Sequence, residues 1–494
     1  MSTEKTSYQA KTTFDVRDFG AVGDGATLDT KAIQTAIDAC TDAGGGTVLF
    51  SAGRFLTGTL FLKSNVTLFL ENTATILGST DLKDYSSEVA RCGFVNETHI
   101  DKCLIYGGNV ENIAIVGQGT IDGQGAAFRG NVEQSTGGER PMLTRCFGSR
   151  NIVFEGVTLK NAGAWCSHFR ECTEVRVTGV TIVNKVCWNN DGIDLMSTSK
   201  VRISDCTIIC LDDAICFQDM SNDKPVEDIV ITNCIMSTRW AAIRSGGAHA
   251  GGIRNVTVSN CVIRNTYGCG IKLQISGNGM MESMAFSNIV MPDVSCPISL
   301  RFGNCHYNNE SFDESYPWGG MRNIMFDNIW ASIVSEEELK EAVKFPELYD
   351  GEEKQCVSVC GIPGHPVEGI TFSNLHFSYP GGGTTEDAAN VNAPELEDLY
   401  PEYFMWGVLP AYGFYARHAK AISLNNVRFE LRSQDARPAV VLDDVEDVDI
   451  NSLRADAFAE AGALIKMRDT RQAFILNARQ LGDGSSSLPL SAEF

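Results

Sequence analysis

The stretch from Asn151 to Asn184, "NIVFEGVTLKNAGAWCSHFRECTEVRVTGVTIVN", says one thing twice. "NIVFEG" at 151 is followed by "VTLKN", and "EVRVTG" at 174 by "VTIVN". Each six-residue phrase alternates apolar and polar side chains, the pattern of a half-buried strand. Each phrase ends on a residue type that tolerates a tight bend. The phrase recurs as "NIAIVG" at 112, "KVRISD" at 200, "DIVITN" at 228, "NVTVSN" at 255, "SMAFSN" at 283, "NIMFDN" at 323, "GITFSN" at 369 and "AISLNN" at 421. "DVDINS" at 447 is a fainter copy. From 151 to 283 the starts are 23, 26, 28, 27 and 28 residues apart, with no helical pattern between them. Strands at that step predict an all-β fold, a right-handed parallel β-helix in which one coil is one repeat. A β-propeller is the rival, but its blades repeat at about 40 residues or more.

Working outward, "DTKAIQTAIDACTDAG" (29–44) places Ala32, Ile33, Ala36, Ile37 and Cys40 on one helical face and stops at glycine. A helix there would cap the open end of the solenoid, whose unpaired strand would otherwise invite aggregation. Beyond 283 the repeats stretch to 40, 46 and 52 residues, with insertions at roughly 301–320, 331–368 and 378–418. "SEEELKEAVKF" (335–345) reads as a short helix and "YPGGGTTEDAANVNAPELED" (379–398) as a loop. The expected organisation is a single β-helix domain over 1–494: cap region 14–60, regular coils 61–300, coils with long loop insertions 301–420, C-terminal coils and tail 421–494.

The formal net charge of -22 disfavours nucleic acid and anionic membranes as partners, since both need clustered Lys and Arg. A local basic pocket can override that global field. No apolar run is long enough to span a bilayer. The 17 cysteines are an odd number, and Cys206, Cys234 and Cys261 each directly follow a bend residue inside strand-like runs. They are expected to stack inward as reduced thiols, which with the lack of a signal-like N-terminus reads as a cytoplasmic protein. Cysteine and histidine show no zinc-type spacing, and no strand–GxGxxG–helix or P-loop is present, so neither metal nor nucleotide cofactor is expected. Nothing in the sequence bears on oligomeric state.

Within the regular coils, "WNNDGIDLMSTSKVRISDCTIICLDDAICFQD" (188–219) gathers Asp191, Asp194, Asp212 and Asp213. Asp191 and Asp212 are 21 residues apart, a little under one coil, so they should be neighbours along the axis. Inverting glycoside hydrolysis needs a protonated carboxyl for the leaving oxygen and an ionised one to activate water, roughly 6.5–9.5 Å apart. Carboxylates on adjacent coils can meet that spacing, and their repulsion splits identical groups into acid and base. Asp is also a common turn residue. A second doublet, Asp443–Asp444 in "LDDVEDVD", has no partner acid one coil earlier and reads as solvated turn chemistry.

At these residues the sequence resembles the family-28 glycoside hydrolases, the polygalacturonase group. "NNDGID" resembles that family's N-T-D-G-I-D motif and "LDDAIC" its D-D-x-I motif, in the same order and spacing. "DFGAVGDGATLDT", "AIQTAIDAC" and "NAGAWCSH" extend the resemblance over roughly 14–305, and "YPEYFMWGVLPAYGFYARHAKAISLNNVRF" resembles a bacterial branch of the family. The resemblance implies Asp212 as general acid, Asp191 and Asp213 as holders and activators of the attacking water, inversion, and no metal. The family's G-H-G histidine falls near Trp240 here, and its R-I-K arginine is Gly270, leaving Lys272. The acid–base core is thus kept while the pocket chemistry is changed. Arg239 and Arg244 are candidates to replace the missing charge, since a guanidinium clamps carboxylates or hydroxyls with paired hydrogen bonds. Asn190, Trp165, His168, Trp240 and Arg301 are further candidates for sugar contact; His249 reads as a loop residue. The aromatic run 401–418 packs on the solenoid flank or walls one end of the groove.

The expected activity is hydrolysis of a plant-cell-wall oligosaccharide, such as a pectin-derived one, with the insertions closing one end of the groove and giving exo action. A β-helix polysaccharide lyase or epimerase, or a non-catalytic glycan-binding solenoid, would use a similar groove.

Overall fold

In a computed structural model, the structure describes residues 12–92, 98–131, 138–219, 221, 223–247, 250–304, 317–343, 348–349, 351–481 and 489–493. His249 and most of the first insertion lie outside these residues. The chain divides into two compact units, 1–92 with 97–188, and 93–96 with 189–494. Each is wound as a right-handed parallel β-helix. Among the described residues no helix is long and apolar enough to cross a membrane.

In the first unit, Glu111–Gly117, Arg150–Glu155 and Thr173–Thr178 pair in parallel register, Ile113 on Ile152 on Val175. The predicted capping helix is present as α1 (Thr30–Asp42), with Ile33, Ala36, Ile37 and Cys40 buried and Gly44 left-handed after it.

In the second unit each regular coil carries three strands. Ser199–Ser204 pairs with Val226–Thr232 and that with Ile253–Ile263, so Val201, Ile229 and Val256 form one inward column and Ile203, Ile231 and Val258 another. Further on the columns become aromatic: Phe286, Phe326 and Phe372 stack face to face at 5.0 Å spacing. Each is fully buried, a contribution of roughly 1.5–3 kcal/mol apiece. The predicted thiol stack is also there. Register places Cys206, Cys234 and Cys261 in one line, each at most 2% exposed.

The phrases are bounded at both ends by left-handed residues. The trailing positions Gly179, Asp205, Asn233, Asn260, Asn288, Asn328, Asn374 and Asn426 all have positive φ, and so do the leading ones, including Glu174, Lys200 and Ala421. Asparagine recurs at the trailing corner because it tolerates this region and because successive amides bond along the axis, as from Asn328 to Asn288 and from Asn426 to Asn374, both at 2.8 Å.

The second insertion contains α2 (Glu336–Ala342), closed by a reciprocal Ser335–Glu338 cap. The third is not all loop. Thr384 caps a single turn, α3 (Thr385–Ala388), through the same device with Asp387. The Asp443 reading is corrected. Asp443 is 3% exposed, within the strand Val440–Asn451, paired with Arg468 at 2.6 Å and Arg417 at 3.3 Å. Its partners are bases on neighbouring coils, a pairing that a search for acids alone overlooks. Asp444 points outward and bonds His418.

Candidate active site

Four strands of the second unit build the site: β1 (Ile193–Met196), β2 (Ile215–Asp219), β3 (Ala241–Gly247) and β4 (Thr266–Ser276). Ile193, Ile215, Ile243 and Ile271 share one inward column. Counting back two residues puts Asp191 level with Asp213, one strand spacing away. The bend before β2 brings Asp212 in as well. One carboxylate oxygen from each of Asp191, Asp212 and Asp213 lies within 4.8 Å of the other two. Backbone bonds fix the bend. The Asn190 carbonyl accepts from the Leu211 and Asp212 amides, both at 3.2 Å, and the Thr238 hydroxyl donates to the Asp212 carbonyl. The Asp213 amide donates to Asp212 Oδ1 at 3.0 Å.

Two carboxylates at that separation repel by about 3 kcal/mol at an effective dielectric of about 20, enough to move one titration by about two units. Burial adds to it. Asp191 is 4% exposed, and burial together with Asp212, Asp194 and Asp213 pushes its carboxyl well above the usual range. Asp212 is pushed up to about 7 by burial and the Asp213 charge, against the pull of Lys272 and the Asp213 amide; Glu402 pushes further upward. Asp191 and Asp212 are both raised, so the trio keeps a proton near neutral pH, the state that general-acid chemistry needs. Three converging carboxylate oxygens are also a donor set that could hold a cation.

A second layer lies beside the trio. Cys216, Arg244 and Lys272 occupy one register column on β2, β3 and β4. Arg244 Nε is 3.6 Å from Asp213 Oδ2, and its terminal nitrogen donates to the Tyr400 hydroxyl at 2.7 Å. Lys272 Nζ is 3.0 Å from Glu402 and 5.6 Å from the Trp240 ring centroid. Burial alone would lower the Lys272 titration; Glu402 and Asp213 outweigh it and hold the ammonium charged. Trp240, half-buried, packs edge-on to Tyr349 and Phe404 of the second and third insertions. Gly268 must lack a side chain here, because a Cβ would sit 1.8 Å from the Trp240 carbonyl.

The structure thus gathers Asp191, Asp212, Asp213, Trp240, Arg244 and Lys272. Arg239 is placed differently: both Glu352 oxygens accept from it, at 2.8 and 3.0 Å, and Tyr403 also donates to Glu352. At 4% exposed, its guanidinium is committed to an internal ion pair. Arg301 likewise ties loops together, donating to the carbonyls of Gly361, Glu395 and Leu396 beside the Trp406 ring. Asn190 is fully buried and acts here through its backbone carbonyl. Trp165 and His168 belong to the first unit, 4% and 1% exposed and packed edge to face at 5.2 Å. Burial, then Arg145 and Arg170, drive the His168 titration down, so the imidazole is neutral. The sequence reading missed Glu352, Tyr400 and Glu402. They stand in insertions far along the chain, in no repeat register, and no local pattern marks them.

A β-helix carrying a buried trio of carboxylates that keeps a proton has the parts of a solenoid-type acid–base hydrolase. The chain belongs to the glycosyl hydrolases family 28, whose family model matches residues 40–396. It is 30% identical over 382 residues to a probable polygalacturonase of Vitis vinifera, covering 72% of each chain. It is 27% identical over 334 residues to an exo-poly-alpha-D-galacturonosidase of Dickeya chrysanthemi, covering 57% of this chain and 55% of that one. A hyperthermoactive exopolygalacturonase from Thermotoga maritima shares the fold with a TM-score of 0.62 at 22% identity, over 75% of this chain and 87% of that one. A family 28 exopolygalacturonase of Yersinia enterocolitica gives 0.65 at 20% identity, over 88% and 79%. The protein is accordingly a glycosidase.

Proposed function

We propose that this glycosidase trims pectin-derived oligosaccharides from one end by single displacement with inversion. The observation that carries the reading is the trio itself, with Asp212 titrating near 7 between two further carboxylates. Asp212 gives its proton to the leaving glycosidic oxygen. Asp191 and Asp213 hold a water, take its proton, and direct it at the anomeric carbon from the opposite face.

The spacing differs from expectation. Nearest oxygens within 4.8 Å are closer than the roughly 6.5–9.5 Å usual for inverting enzymes and nearer the about 5–5.5 Å of double displacement. Three carboxylates rather than two support inversion: once one keeps its proton, two remain to grip a water. ¹H NMR of the first-formed product decides it. The opposite anomer is expected; the substrate's own configuration would make Asp191 or Asp213 a nucleophile instead.

Exo action is supported by the insertions, which set Tyr400, Glu402 and the Tyr349–Phe404 stack beside the trio. The name of the Dickeya relative points the same way. A length-defined oligosaccharide should lose single terminal units, and random internal cuts would defeat this. A panel of pectic oligosaccharides and aryl glycosides, with Asp212→Asn as control, tests the substrate class. A reducing compartment, the cytoplasm, is our reading of location. All 16 described cysteines are free and buried, several in ladders where exchange partners stand in line.

A further inference from the structure

The outer face of the second unit carries a strip that the trio does not use. Along one register column, Val290, Trp330, His376, Arg428, Arg454 and Arg479 follow one another on successive coils. The first two are apolar yet 50% and 54% exposed. The Trp330 ring leans on His376 at 4.4 Å between centroids. Three arginines then recur at the interval between strands, about 4.8 Å. In a chain of net charge -22, stacking like positive charges opposes folding unless something answers them. Glu430 accepts from His376 at 2.9 Å and from Arg428 at 2.7 Å. Among the described residues, no carboxylate pairs with Arg454 or Arg479. Beside the column lies a concavity of about 380 Å³, lined by Trp330, His376, Arg428, Arg454 and the corner amides of Asn328, Asn374 and Asn426. Asn328 and Asn426 each donate one N–H along the axis, which leaves each a second N–H for a ligand.

We infer that this strip is a binding site, separate from the catalytic trio, for an extended anionic glycan. A sugar ring lies on the exposed Trp330 face, which offers apolar area together with the ring's electron-rich surface. Carboxylates further along the same glycan meet Arg454 and Arg479 in turn, and the asparagine amides take hydroxyls. A repeating polyanion fits a repeating column of cations because each extra coil adds one contact, so affinity grows by multivalency rather than by one tight pocket. The strip thereby anchors the enzyme on polymer while the trio cuts ends. The choice of polyuronide rests on the pectic reading above; the existence of the site does not.

The test is affinity electrophoresis in native gels containing polygalacturonate, using the Asp212→Asn chain so that the polymer stays whole. Retardation is expected, weakened by salt and by methyl-esterification of the polymer. Trp330→Ala and Arg454→Glu should each weaken retention at least fivefold, while the same changes in the active enzyme leave hydrolysis of a short oligosaccharide within twofold. Full retention in both variants would overturn the site. Equal retention by DNA would overturn the glycan assignment, and loss of short-substrate hydrolysis would overturn its separateness. Strip-dependent retention by an enzyme that cuts no pectic fragment would sink only the pectic reading.

Discussion

Replacing Asp212 by Asn should make the protein more stable and nearly inactive, and the stabilisation should depend on pH. The folded carboxyl titrates at about 7, whereas an unperturbed one titrates at 3.8. Below about pH 4 both folded and unfolded chains hold the proton, and the side chain is neutral in either state. Between about 4 and 7 unfolding releases that proton, so stability falls as pH rises. Above 7 the folded group is ionised and the full cost is present. A shift of this size corresponds to about 4 kcal/mol at about 1.4 kcal/mol per unit. Asparagine keeps the shape, still accepts from the Asp213 amide through its oxygen, and carries no charge. Urea unfolding of wild type and variant should therefore coincide near pH 4, with the variant ahead by a few kcal/mol at pH 8. Hydrolysis should fall by about 10²–10⁴ or more, the usual contribution of a positioned acid. A stability difference that ignores pH would refute the buried, repelled acid. Retention of more than about a tenth of the activity would refute Asp212 as proton donor.

The surroundings of Asp212 carry further expectations. In the wild type, kcat/KM should fall about tenfold per unit above pH about 7, as the acid form of Asp212 is lost. Glu402→Gln removes a charge that raises that titration and frees Lys272, which lowers it, so this limb should move to lower pH; an unmoved pH–rate profile would count against the assignment. Glu352→Gln leaves Arg239 buried without its partner and should cost about 3–5 kcal/mol in urea unfolding, and Arg239→Met on that background should recover part of it. Gly268→Ala places a Cβ against the Trp240 carbonyl, so thermal unfolding should come earlier and oligosaccharide KM should rise together.

The coil was legible because its signal is periodic. Alternating phrases, their bends and the thiol line at Cys206, Cys234 and Cys261 all follow from side-chain period two repeated at one step. The leading left-handed corners were not legible, because Glu174, Lys200 and Ala421 are not residues that favour that conformation; stacking against the neighbouring coils imposes it. The trio could be anticipated because its members sit less than one coil apart. Arg239 and Arg301 could not be placed, since each takes its partners from insertions: Glu352, 113 residues from Arg239, and the Glu395–Leu396 carbonyls, 94 and 95 residues from Arg301. Asp443 was misread because its partners, Arg417 and Arg468, are bases in register on the neighbouring coils, where only acids were sought.

Charge around the trio ties acid strength to substrate choice. Around the trio the acids Asp191, Asp194, Asp212, Asp213 and Glu402 outnumber the bases Arg244 and Lys272, and burial first, then that surplus, keeps the proton on Asp212. A substrate carboxylate entering as an additional charge would meet that surplus and be repelled. One that takes Glu402's place on Lys272 leaves the charge count unchanged, and so leaves the acid protonated. On the pectic reading proposed above, Glu402 would be a stand-in anion that a uronate exchanges with, whereas a neutral sugar would leave the pair closed. Glu402→Gln separates these cases. A lower KM for a uronide, with a neutral glycoside unaffected, shows exchange at Lys272. Equal effects on both would mean that Lys272 and Glu402 only brace the Trp240 face.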